Sequence, residues 1–152
     1  MAEMIYQIPG FEKDRVQRII ATDVESECFI VAQMADILRT KWNTSVLCIS
    51  LDGHKDAIES LIPKEKAVGT VHVLDQKNPT YEVIYRKATG FINRRFVRAL
   101  IISGVERLTT RFNKYRTDKG REWVTNNLER LFGGIGVPVI LLEVHQEQSE
   151  GQ

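Results

Sequence analysis

An α/β fold is predicted, with a mainly parallel sheet of about five strands and helices on both faces. Three observations predict it. Strand and helix signals alternate along the chain. The strands are nearly continuous runs of Val, Ile and Leu rather than half-polar alternations. No linker or internal repeat divides the 152 residues. The chain is long enough to bury a core without disulfide or metal staples, and 43% hydrophobic with 27% charged residues is ordinary globular composition. One domain over 1–144 is expected, followed by a disordered tail, HQEQSEGQ.

Val16–Ala21 (VQRIIA) reads as the first strand. Thr22 or Asp23 then caps a helix with Glu25 and Glu27 in its first turn, where negative charge suits the helix dipole. Val24, Cys28, Val31, Met34, Ala35 and Leu38 recur at helical spacing and define its buried stripe. Ser45–Leu51 is a buried strand ending at Asp52-Gly53, and His54–Leu61 a short helix stopped before Pro63. Thr70–Leu74 is the third strand. Asn78 as cap and Pro79 at the first helical position begin a helix running to about Asn93, with Tyr81, Ile84, Ala88, Phe91 and Ile92 as its stripe. Ala99–Ser103 is a buried strand. Arg107–Gly120 is basic and lacks an apolar period, so it reads as a long surface loop. Arg121–Phe132 forms a helix closed by Gly133-Gly134, and Val137–Val144 is the last strand.

Composition excludes several classes. Cys28 and Cys48 sit among apolar neighbours with no partner at ligand spacing, against a zinc finger or a CxxC redox centre and in favour of a reducing compartment. Apolar runs of five residues or fewer are too short to span a bilayer, and MAEMIYQIPGFEKDR lacks the pattern of a secretory signal. The net charge of +1 hides an asymmetry. Residues 86–121 hold 11 of the 21 Lys and Arg and only two acids, Glu106 and Asp118, so that segment carries +9 and the remainder −8. Such a block suits a polyanion or an acidic protein face.

A phosphate site in this kind of fold needs a glycine-rich turn after the first strand, with a Lys for the outer phosphates and a Ser or Thr for Mg²⁺. The corresponding turn, residues 21–27, has neither Gly nor Lys and contains three acids that would repel a triphosphate. No GxGxxG occurs. Where a metal-holding Asp would end the fourth strand stand Ser103 and Gly104, and Glu106 beyond them reads as a surface glutamate in a turn. Asp52 reads as the Asp of a turn-forming Asp-Gly. His54, His72 and His145 have no ligand spacing, and His72, between Val71 and Val73, reads as a structural histidine. No catalytic residue, metal ligand or cofactor is therefore assigned. An unconventional enzyme site using Asp52, Glu106 and His54 ranks last among the alternatives.

The feature above background is RFNKYRTDKGRE, residues 111–122, where five basic residues interleave with Phe112 and Tyr115. Cations contact phosphates and aromatic rings stack on bases, so such a loop is competent for single-stranded nucleic acid. The candidate contacts are Arg111, Lys114, Tyr115, Arg116, Lys119 and Arg121.

RALIISGVERL (98–108), YRTDKGRE (115–122), a helix and GGIGVPVILLEV (133–144) together resemble the second half of the RecA-like recombinase core, as found in the RadA and eukaryotic strand-exchange branch. There the metal-binding strand is followed by a first DNA-binding loop reading like Y-R-T-D-x-x-G-R-G-E. The first half matches in element order. By motif, Arg116, Lys119 and Arg121 fall in that loop. The phosphate loop, the metal-binding Asp, the second DNA loop and an N-terminal helical domain have no counterpart here.

The resemblance therefore implies a three-layer RecA-like core without nucleotide. It implies a recombinase paralogue of the Shu-complex type, serving DNA recombination and repair without catalysis. The implied partners are single-stranded DNA and another RecA-like subunit or a recombinase, with no membrane. The implied location is the nucleus, or the cytoplasm for a prokaryotic or viral chain. The alternative is a nucleotide-free scaffold subunit of another assembly, such as the Elongator accessory ring that handles tRNA; there the basic segment meets RNA or an acidic protein face. Tyr6, Ile8 and Phe11 either dock on a neighbour or cover this chain's own core.

Overall fold

The computed structural model describes residues 16–41, 43–64, 69–77, 80–110 and 118–144, with the backbone alone for Lys41, Thr109, Thr110 and 118–121. The elements alternate as expected: β1 (Val16–Ala21), α1 (Val24–Lys41), β2 (Val46–Ser50), α2 (Lys55–Leu61), β3 (Val71–Asp75), α3 (Tyr81–Arg94), β4 (Ala99–Ser103), α4 (Glu106–Thr110), α5 (Asp118–Phe132) and β5 (Val139–Val144). The five strands form one sheet in the order β1-β5-β4-β2-β3, and every pairing is parallel. The fold is α/β, consistent with a three-layer RecA-like core.

The layers follow from side-chain alternation along strands buried on both faces. Val46 and Cys48, Ala99 and Ile101, and Ile140 and Leu142 pack with the α1 stripe and with Ile58 of α2. The intervening Leu47 and Ile49, Leu100 and Ile102, and Val139 and Leu141 pack with α3, α4 and α5 through Ile84, Ala88, Leu108, Val124, Leu128 and Phe132. Right-handed crossovers require this division. The chain moves one way across the sheet from β1 to β2 to β3, then back to β4 and β5, and the covering helices change face when the direction reverses.

Helix ends are set locally. Asp23 is the cap of α1: its Oδ1 accepts from Ser26 N–H at 2.7 Å. At the other end Asn43 adopts φ 52°, a left-handed conformation that Asn tolerates, and Thr44 N–H donates to Leu38 O at 3.0 Å. The first turn of α2 is completed from outside, since Asp75 Oδ1 on β3 accepts from Lys55 N–H at 2.9 Å. The cap of α3 is Thr80, whose Oγ1 accepts from Val83 N–H at 3.2 Å. The expected cap Asn78 and its neighbour Pro79 lie outside the described residues. Thr80→Ala is expected to cost about 1 kcal/mol by urea unfolding, the usual value of such a cap.

The long loop expected over Arg107–Gly120 is corrected at both ends. Arg107–Thr110 belongs to α4, and Asp118–Gly120 already lies in α5. A single apolar residue anchors α4: Leu108 is buried, and its N–H donates to Val105 O at 3.0 Å. One turn on one anchor leaves no period to read. Residues 111–117, the tail from 145 and the segment containing Tyr6, Ile8 and Phe11 lie outside the described residues.

Candidate functional site

Adjacent strands β2 and β4 send their chains to opposite faces of the sheet, β2 to α2 and β4 to α4. The carboxyl ends of such strands flank a crevice where open α/β sheets place ligands. Two acids follow those ends directly, Asp52 after β2 and Glu106 after β4, and Glu27 reaches them from the first turn of α1. One oxygen from each lies within 4.8 Å of the others.

Each carboxylate is held by its own local structure. Glu27 is almost fully buried, and its Oε2 accepts from Gly104 N–H at 3.0 Å. Asp52 Oδ1 accepts from Ser50 Oγ at 2.9 Å, while His54 N–H donates to that same hydroxyl, fixing the turn after β2. His54 Nε2 stands 3.5 Å from Asp52 Oδ2. Glu106 Oε1 accepts from Val144 N–H at 3.0 Å, which ties α4 to the end of β5. Gly104 has φ +75°, and a Cβ there would lie 2.8 Å from Asp52 Cγ. Only glycine allows the chain to turn this close to the carboxylate.

Burial raises the Glu27 carboxyl to about 8; the Gly104 hydrogen bond opposes it, and Glu106, Asp52 and Glu143 add smaller upward pushes. Glu106 is also raised, chiefly by burial. Glu143, buried on β5, accepts from Arg18 Nε on β1. Oxygens of three carboxylates at this separation suit a hard divalent cation. A proton on Glu27 relieves the same repulsion by removing one of the three charges. The two cysteines play no part here. Both are free and buried, with thiols pushed up to about 11 at Cys28 and about 12 at Cys48, far from a reactive thiolate.

The turn after β1 is capped by its own side chain. In a phosphate-binding helix start the free N–H groups point at the ligand. Here Asp23 occupies Ser26 N–H with its carboxylate, that hydrogen bond holding its pKa below the ordinary value, and Glu27 lies buried one residue further on.

The structure corrects two sequence expectations. Glu106 is no surface glutamate in a turn: it is partly buried and bonded to β5. Asp52 does more than shape an Asp-Gly turn, since it is one wall of the acidic group. Glu27 was legible only as helix-start charge. The signal available for it was its helical spacing with Val24, three residues back, and Val31, four residues on, which places it beside the buried stripe. His72 stands on β3 edge-to-face with Phe91, centroids 5.1 Å apart, its pKa lowered by burial and by Arg95.

Among the basic candidates, Arg111, Lys114, Tyr115 and Arg116 lie outside the described residues, while Lys119 and Arg121 fall in the first turn of α5. The +9 block is divided by β4. Residues 86–98 lie on α3 and the turn before β4, whereas among the described residues Arg107 on α4 and Lys119 and Arg121 on α5 come after β4. Neither a family model nor a curated protein matches the chain. Among the described residues no helix is long and apolar enough to cross a membrane.

Proposed function

We propose that the protein is a non-catalytic accessory subunit of homologous recombination. On this reading it binds single-stranded DNA through Arg111, Lys114, Tyr115, Arg116, Lys119 and Arg121 and assembles with another RecA-like subunit or a recombinase. The observation that carries the reading is the turn after β1. The helix start that would cradle a nucleotide's phosphates is closed by the Asp23 carboxylate and underlain by Glu27. A triphosphate there would face carboxylates with no cation in that turn. The strongly positive segment remains as the polyanion-binding element, and it carries the sequence resemblance to a recombinase DNA loop.

The test is oligo-dT binding across a salt series by the protein and by Arg116→Glu/Arg121→Glu. Each lost phosphate contact removes about 0.7 from the log–log slope on single strands. The double variant is therefore expected to bind at least tenfold more weakly, with a slope flatter by about 1.4. Parent-like affinity and slope would reject the site. Saturable ATP binding by calorimetry would reject the nucleotide-free reading. Preference for tRNA over oligo-dT in competition would move the protein to the alternative scaffold role.

A further inference from the structure

The turn joining α3 to β4 reads Asn93-Arg94-Arg95-Phe96-Val97-Arg98. Phe96 has φ +56° and is 69% exposed. A left-handed conformation is unusual for a bulky residue, and an exposed ring gains little from folding. The backbone around it is fixed. Arg95 and Val97 N–H both point at Phe91 O, at 2.9 and 3.4 Å, and Arg98 N–H donates to Ser45 O at 2.9 Å. Val97 is fully buried on one side of the ring, so the turn is anchored while Phe96 is thrust outward.

Charge surrounds the ring. Arg94, Arg95 and Arg98 are exposed, and no carboxylate of the described residues pairs with any of them. The Arg98 guanidinium carbon lies 5.9 Å from the Phe96 centroid. A planar cation at one side of an outward ring, with two more exposed arginines in the same turn, matches what a single strand presents: a flat base next to a phosphate.

We propose that this turn is a second contact for single-stranded nucleic acid, with Phe96 as the stacking platform and Arg94, Arg95 and Arg98 as phosphate contacts. It lies at the amino end of β4. The inference rests on the nucleic-acid-binding reading above but uses none of its residues.

The probes are oligo-dT and an abasic deoxyribose-phosphate polymer of equal length, measured by anisotropy. Phe96→Ala is expected to weaken oligo-dT binding about tenfold with an unchanged salt slope, because stacking releases no counterions, and to leave the abasic polymer unaffected. Arg94→Glu/Arg95→Glu is expected to weaken both probes and flatten the slope by about 1.4. Phe96→Gly relieves the left-handed strain, so it is expected to raise the melting temperature by about 2 °C while losing the same tenfold in binding. A merely structural Phe96 would move stability and binding down together. Parent-like oligo-dT binding by Phe96→Ala overturns the proposal. If Arg116→Glu/Arg121→Glu still abolishes binding in that case, the segment 111–121 reading stands. Failure of the unmodified protein to bind either probe overturns both.

Discussion

Urea unfolding of the protein between pH 7 and pH 8 is expected to show stability falling as pH rises, and Glu27→Gln is expected to remove most of that slope. The folded Glu27 carboxyl titrates near 8 against an ordinary value of 4.5. Through the interval between those values the folded state holds a proton that the unfolded chain has released. Stability is therefore lost with rising pH, by up to about 1.4 kcal/mol per unit, and levels off once both states are ionised. Below 4.5 the contribution is fully present. Glu106 is raised in the same direction, chiefly by burial, so its contribution has the same sign above its ordinary 4.5. His72, lowered by burial and Arg95, acts oppositely around and below its ordinary 6.5, which is why the window above pH 7 isolates the carboxyls. The groups facing Glu27 are Glu106 on α4, Asp52 after β2 and Glu143 on β5, all acidic, so no neighbour among them compensates its ionisation. Gln keeps the acceptor for Gly104 N–H and cannot ionise. A Glu27→Gln slope equal to that of the parent would show that the carboxyl is charged in the folded protein at neutral pH.

Gly104→Ala is expected to destabilise the protein by about 3 kcal/mol. A left-handed non-glycine residue costs roughly 1–2 kcal/mol, and forcing a methyl against a packed group adds about 1–3. The contacts are severe: the new Cβ would lie 2.8 Å from Asp52 Cγ, 2.9 Å from Oδ1 and 3.1 Å from the Asp52 backbone nitrogen. Asp52→Ala in the same chain removes the first two contacts and keeps the third and the strained φ. The double variant is therefore expected to recover part of the loss, with a coupling of about 1 kcal/mol in a double-mutant cycle. Simple additivity would show that Asp52 moves aside freely and that the crevice is not tightly built.

The two effects share one cause. The ends of β2 and β4 and the first turn of α1 are drawn together until a glycine and a proton are needed to fit three carboxylates. The helix start beside this crevice presents Asp23 and Glu27, where a phosphate cradle would present open N–H groups.

Much of the fold was legible because its signals are local. The stripe from Cys28 to Leu38 and the runs VLCIS and ALIIS carry their period or their apolar density within a few residues. The α1 cap was legible as Asp23 or Thr22 because capping depends on the next three residues. α4 is not legible, because one leucine makes no pattern. The α3 cap fell on Thr80 because its hydroxyl reaches Val83 N–H.

Residue order alone shows the element order, the parallel two-faced sheet, the lack of a phosphate loop and the concentration of positive charge in residues 86–121. These properties are fixed by neighbours along the chain. That Glu27, Asp52 and Glu106 share one crevice, and that Phe96 is turned outward beside Arg98, emerges only once the strands are assembled. Such arrangements depend on which strands become neighbours and on one backbone angle held by distant hydrogen bonds, quantities that no local pattern of residues encodes.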